Sequence, residues 1–420
     1  MYIAPGYGLA MLSRDIMAAA VALPLLWPGT AGAHTVRQAP LGAVFNNPTT
    51  ADATKIVDQL ITLISGAEAG SDIRVTAFEF TDPDVLAALK AAHAKGVNVK
   101  VLADGGAKDS DQFKDLAAAL GGDTSRPSWA THCRHDGNSS TACIGDVPGD
   151  DGSKMHNKFY LFSSTLGSSD VVMQSSANLK KGGSGTGQWN SSYTLSDKAV
   201  YDAYLAYFDD LLRMKLIPDY YETHPPVETP AMKIYHAPRA DGDTMENILG
   251  HVKCKGNTEG GTTGDHRTII RVSTWHIART AVARRLWELD QQGCYVDIVY
   301  RHAGKAALEA LLKPPNGYHG PEIRTFENAP GTHQKDLLID GTYNGEINQK
   351  VVFTGSMNLN PSSLRENDET MLRITDPEVH RAFKNNFWDV QAAADVDVQT
   401  SKKRARSLPA TVESPDERAE

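Results

Sequence analysis

The 420-residue sequence has no surplus of positive charge: 42 Lys and Arg stand against 51 Asp and Glu, giving a net charge of −9. That balance argues against a broad cationic face gripping nucleic acid by its phosphates, though it leaves room for a local basic cleft. Long apolar runs are also missing. The N-terminal run Met17 to Trp27 is too short and too interrupted by proline for a bilayer span. No long amphipathic or aromatic-rich stretch offers itself for docking on lipid. Cysteine is scarce, at four residues, and no C-x-x-C pair occurs, which argues against a zinc site.

What is present begins with an export signal. Arg14 precedes the apolar run, and Ala31-Gly32-Ala33 supplies a small-x-small cleavage site before His34, so residues 1–33 are expected to be removed and the mature chain secreted. Met11 offers an alternative start. A length of 420 residues at 41% hydrophobic content suffices for one large core or two packed ones.

The order of elements then runs twice. In 43–217, AVFNNP leads into an amphipathic helix near Ala51–Ser65, and IRVTAFEF follows as a strand. Pro83 opens a helix that Gly96 ends, VNVKVLAD is the next strand, and a helix from Lys198 to Met214 closes the segment. In 232–397, MKIYHAP, RTIIRVSTWHI, a helix over Arg279–Gln292, CYVDIVYR and a closing helix Pro377–Ala394 repeat that order. This is a long-period duplication, and its alternating strands and helices predict two α/β halves packed side by side. The Pro-rich segment 218–231 is expected to link them, and the charged, Pro-containing tail 398–420 to be disordered. Four cysteines allow three pairings. Cys133–Cys143 and Cys254–Cys294 keep each bridge within its own half.

The chemistry-bearing residues are duplicated as well. HQKDLLID places His333, Lys335 and Asp340 as H-x-K-x(4)-D, and KVVFTGSMN follows with Gly355, Ser356 and Asn358. MHNKFYLF places His156 and Lys158 at the same spacing, and VVMQSSAN follows with Ser175, Ser176 and Asn178. A lone His-x-Lys on a strand is usually surface decoration; the repeat is what carries the signal. The paired motifs resemble the phospholipase D superfamily, in which two such half-sites make one active site. The resemblance spans about residues 45 to 395.

It implies a phosphodiesterase in which one neutral imidazole attacks phosphorus and the other, protonated, donates to the leaving oxygen. Lys158, Lys335, Asn178 and Asn358 would hold the non-bridging oxygens, and neither a metal nor a cofactor is implied. The halves differ at two points. Ser163 stands where the second half has Asp340, a residue that braces the fold in the family. Aligning WNSSYTL with ENDETML puts Ser192 opposite Glu369. In the family the acidic residue after G-S-x-N of one half orients the His of the other. With that alignment the resemblance implies that Glu369 orients His156 as nucleophile and that His333, facing Ser192, is the general acid, with Asp197 a candidate to compensate. Ser176 and Ser356 offer hydroxyls either to phosphate or to a strand-end turn. Glu79 and His276 occupy equivalent positions on the repeated strand, while His132, His135 and His302 read as loop histidines.

For substrate, export, acidic balance and the insertions Thr131–Gly152 and Pro314–Gly320 favour a phospholipid at a membrane surface, bound peripherally by a monomer. A secreted endonuclease acting on nucleic acid, or a catalytically weak phosphate- or lipid-binding protein, are the alternatives.

Overall fold

The computed structural model describes residues 38–134, 140–145, 152–316 and 319–398. The expected signal, His135 and the tail from 399 onward lie outside them.

The first seven strands are β1 (Gly42–Asn46), β2 (Asp72–Ala77), β3 (Asn98–Ala103), β4 (Trp129–His132), β5 (Phe159–Thr165), β6 (Ser168–Ser175) and β7 (Asn190–Ser196). Helices α1 (Lys55–Gly66), α2 (Pro83–Ala94) and α3 (Asp111–Leu120) lie among them, and α4 (Lys198–Leu212) follows. The boundaries follow local chemistry. Asp82 caps α2 by accepting from the backbone N–H groups of Asp84 and Val85, Pro83 starts it, and Gly96 at φ +92° takes the chain out of it.

The segment expected as a linker is itself structured. It carries helix α5 (Tyr220–Thr223) and strand β8 (Val227–Glu228), which pairs with the next strand. The second set comprises β9 (Met232–Ala237), α6 (Thr244–Gly250), β10 (Val252–Lys253), β11 (Ile269–Ile277), α7 (Thr280–Gln291), β12 (Tyr295–Ala303), α8 (Lys305–Leu311) and β13 (Glu322–Thr325). It continues through β14 (Lys335–Tyr343), β15 (Glu346–Gly355), α9 (Pro361–Arg365), β16 (Glu369–Thr375), α10 (Pro377–Ala393) and β17 (Val396–Asp397).

Strand order shows the duplication directly. The first sheet runs β1-β7-β6-β5-β2-β3-β4, and the second contains β9-β16-β15-β14-β11-β12-β13, the same path repeated. In both, three parallel strands join antiparallel ones. Three apolar clusters fill the structure. Two lie within single halves, and the third takes Phe159, Leu161 and Val172 from one half and Leu338, Val352 and Leu372 from the other.

The closing helices cross over reciprocally. Tyr207 of α4 stacks on His236 of β9 with ring centroids 3.8 Å apart, and Phe383 of α10 packs edge-on against Phe45 of β1 at 4.9 Å. A shared apolar interface of this kind fixes the halves relative to each other. Disulfides join Cys133 to Cys143 and Cys254 to Cys294. Among the described residues no helix is long and apolar enough to cross a membrane.

Candidate active site

His156 and His333 do not sit within strands; each lies just before one, three residues ahead of β5 and two ahead of β14. Both are buried, and each is held by the opposite half. The backbone N–H of His156 donates to Asp368 O at 3.0 Å, and that of His333 to Trp189 O at 2.8 Å. The rings are oriented the same way. His156 Nδ1 is 2.9 and 3.0 Å from the two carboxylate oxygens of Glu369, whereas His333 Nδ1 is 3.0 Å from Asn190 Oδ1. Each ring meets an aromatic edge at the end of the repeated second strand: Phe78 at 5.1 Å for His156 and Trp275 at 5.4 Å for His333.

The lysines repeat this symmetry. Lys158 Nζ donates to His156 O and Lys335 Nζ to His333 O, both at 2.7 Å. Both ammoniums act on both imidazoles, so the two half-sites form one charge cluster. The motif asparagines Asn178 and Asn358 are both buried. Asn178 Nδ2 donates to Glu79 Oε2 at 2.8 Å and to Ser184 Oγ at 2.9 Å, while the Oδ1 atoms of both asparagines are buried without a hydrogen-bond partner among the described residues.

Asn190 is the residue the sequence alignment missed, and the reason is a two-residue slip. Ser192 does not face His333; its hydroxyl donates to Val44 O at 3.2 Å. Ser176 N–H bonds Ser191 O and Ser356 N–H bonds Thr370 O, which makes Ser191 the counterpart of Thr370 and Asn190 that of Glu369. The signal was available. Asp197 and Asp376 are the N-caps of α4 and α10, each seven residues beyond Asn190 and Glu369. Asp197 is spent on that cap, accepting from Val200 N, and so is not the compensating carboxylate.

The serines of the motif are engaged with the neighbouring strand. Ser176 Oγ donates to Asn190 Oδ1 at 2.9 Å and accepts from Ser191 N, and Ser356 Oγ accepts from Thr370 N and supports Glu369. They hold the partners of the histidines. Asp340 lies at the far end of β14, accepting from Gly261 N and paired with Lys350; Ser163 at the matching place accepts from Asp72 N. Glu79, by contrast, belongs to the site through Asn178 and Lys180. His276 holds Asn360 at 3.4 Å. His302 is a strand residue of β12 packed on Trp275 at 4.4 Å rather than a loop histidine, and His132 ends β4.

The disulfide loop completes the support of His156. The N–H groups of Cys143, Ile144 and Gly145 donate to the Asp368 carboxylate at 2.6 to 3.2 Å. A Cβ at Gly145 would collide with the Glu366 carbonyl, so this approach needs glycine.

Electrostatics separate the two rings. Burial lowers His156 to about 4, with the Glu369 carboxylate pulling upward and Lys158 and Lys335 downward. Burial drives His333 well below the usual histidine value, Lys335, Lys158 and His156 repel its proton further, and a hydrogen bond to the Ser176 backbone opposes them only in part. Burial raises Glu369, but the His156 ring and Lys158 outweigh it, so the group stays below the ordinary carboxyl range. With an acceptor beside each Nδ1, the proton of a neutral ring sits there, which leaves Nε2 as the atom that can attack or, on a protonated ring, donate.

A family model described as "Cardiolipin synthase, PLD-like domain" matches residues 60–212 and 266–390, the two halves in turn. The fold is similar to that of polyphosphate kinase from Porphyromonas gingivalis, at TM-score 0.54 and 14% identity over 86% of this chain; this chain spans about half (54%) of that protein's length. It is also similar to phosphatidylserine synthase from Haemophilus influenzae, at TM-score 0.52 and 13% identity, covering 85% of this chain and 89% of the other. No curated protein sequence matches significantly.

Proposed function

The chain belongs to the phospholipase D superfamily, and from that premise we propose that it cleaves phospholipid phosphodiesters to phosphatidic acid and a free head group by way of a phosphohistidine on His156. The observation that carries this reading is the reciprocal clamping of two buried imidazoles, each held by the opposite half and both within one pair of ammoniums.

A phosphodiester is anionic and repels nucleophiles, so charge compensation comes first. Each ammonium contributes about 4 kcal/mol per unit charge at ~4 Å and an effective dielectric of ~20. Neutral His156 Nε2 then attacks phosphorus. The ring gains positive charge as the P–N bond forms, and Glu369 stabilises it through Nδ1–H. As the P–O bond to the head group breaks, His333 delivers an Nε2 proton to the leaving oxygen. Asn190 Oδ1 accepts the Nδ1–H throughout and leaves this imidazolium a strong acid. In the second step His333 takes a proton from water, whose oxygen attacks phosphorus and expels His156.

The fixed amide supports these unequal roles. Asn190 Nδ2 donates to the carbonyls of Ser184, Gly185 and Gln188, so its oxygen, and no proton, is what His333 meets. The family description and the acidic net charge support a phospholipid over a polyanionic nucleic acid, and the signal-like N-terminus supports export.

The test is head-group release from phosphatidylcholine vesicles by the mature chain in excess EDTA, beside a His333→Ala control. Release that survives EDTA and disappears in the variant is expected. No release from the wild type, with cleavage of single-stranded DNA that weakens steeply as salt rises, would replace the lipid reading with a nuclease.

A further inference from the structure

The second half carries a cavity beside strands β9 and β16. It is polar, about 220 Å³ in volume, and lined by residues including Arg373, Lys233, Glu228, Tyr343, Asn247 and His251. Arg373 lies four residues beyond Glu369, about 13 Å along β16 at the usual rise of a strand. The cavity is thus separate from the two-histidine cluster, and nothing about it depends on the reaction proposed there.

The duplication shows what is unusual here. Arg373 and Lys233 are directly opposed across β16 and β9. Their counterparts in the first half, Thr194 and Gly42, are opposed across β7 and β1. There the Thr194 hydroxyl accepts from Gln59 of the twelve-residue α1, which covers the position. The corresponding α6 has seven residues, and the space is left open.

Two cations opposite each other on one sheet face repel, so a pair placed this way needs a compensating anion. Glu228 supplies part of it. One carboxylate oxygen is 3.0 Å from Lys233 Nζ and the other 2.7 Å from Arg373 Nη2. That side chain is 48% exposed, free to swing outward, whereas Arg373 is nine-tenths buried and its Nε has no partner among the described residues. With Glu228 displaced, two fixed positive charges and the Tyr343 hydroxyl face the cavity. A dianion balances both charges, while a carboxylate leaves one uncompensated.

We propose that this cavity is a binding site for a phosphate monoester, distinct from the two-histidine site. The group could belong to a soluble phosphorylated molecule or to the head of a monoester lipid.

The test is calorimetric titration of the full chain with glycerol 3-phosphate, in a Lys335→Met background that weakens anion binding between the histidines. One equivalent should bind. Lys233→Met and Arg373→Met should each weaken binding by at least about tenfold, and Glu228→Gln, which removes the competing carboxylate, should tighten it about tenfold. Because Arg373→Met could disturb the strand, the half-exposed Glu228→Gln change is the decisive variant. Flotation with vesicles containing phosphatidic acid separates the sources: capture that Lys233→Met abolishes assigns a lipid head, and binding of the soluble ester alone assigns a free ligand. Affinity equal in all variants, or no binding to either probe, overturns the proposal.

Discussion

Asn190 stands 3.0 Å from Nδ1 of His333, in the place that Glu369 takes against His156. One imidazole is therefore backed by a charge and the other by a dipole, within an otherwise symmetric pair of half-sites. That inequality assigns the roles in the account above.

It also predicts a pH profile. His333 must carry a proton to act as the acid, and its proton affinity is held well below the usual value by burial and by Lys335, Lys158 and His156. A lowered pKa means the acid form is lost early as pH rises, so kcat/KM should be greatest on the acid side of ~6.5. Asn190→Asp places a carboxylate against Nδ1 and raises that pKa. The alkaline limb of the kcat/KM profile should move up by roughly one unit or more. An unmoved limb would separate His333 from the acid role.

Glu369→Gln keeps the shape and removes the charge behind His156. The amide can also present its N–H to Nδ1 and force the wrong tautomer, so kcat should fall on the order of 10³–10⁴-fold with the fold intact. Stopped-time head-group assays with circular dichroism check both halves of that statement. A loss below tenfold would remove Glu369 from the mechanism.

The Cys133–Cys143 bridge closes the loop whose N–H groups grip Asp368, and Asp368 in turn holds the His156 backbone. Replacing both cysteines by Ala should lower stability by about 2–4 kcal/mol in denaturant titrations and reduce kcat at the same time. The same change at Cys254 and Cys294, in the second half away from the histidines, should lower stability with much less effect on kcat.

Most of the fold and the paired motif could be read from the sequence because each rests on local chemistry. Asp82-Pro83 starts a helix, Gly96 leaves one, and the His-x-Lys spacing repeats whatever surrounds it. The partner of His333 could not be read the same way, since strand residues repeat every two positions and a two-residue slip preserves the pattern of faces. Only the helix caps Asp197 and Asp376, outside the compared segments, fix the register. The cation pair Lys233 and Arg373 was equally hidden, being brought together by strand pairing across 140 residues rather than by proximity in the chain.

The most direct test of the central claim is to trap the covalent intermediate. His333→Asn and His156→Asn are each mixed with a phosphodiester labelled on the retained phosphoryl side, quenched under alkaline conditions that preserve phosphohistidine, and mapped by mass spectrometry. The account predicts label on His156 in the His333 variant and none in the His156 variant. Label on His333, accumulating when His156 is replaced, would reverse the roles of the two histidines and contradict it.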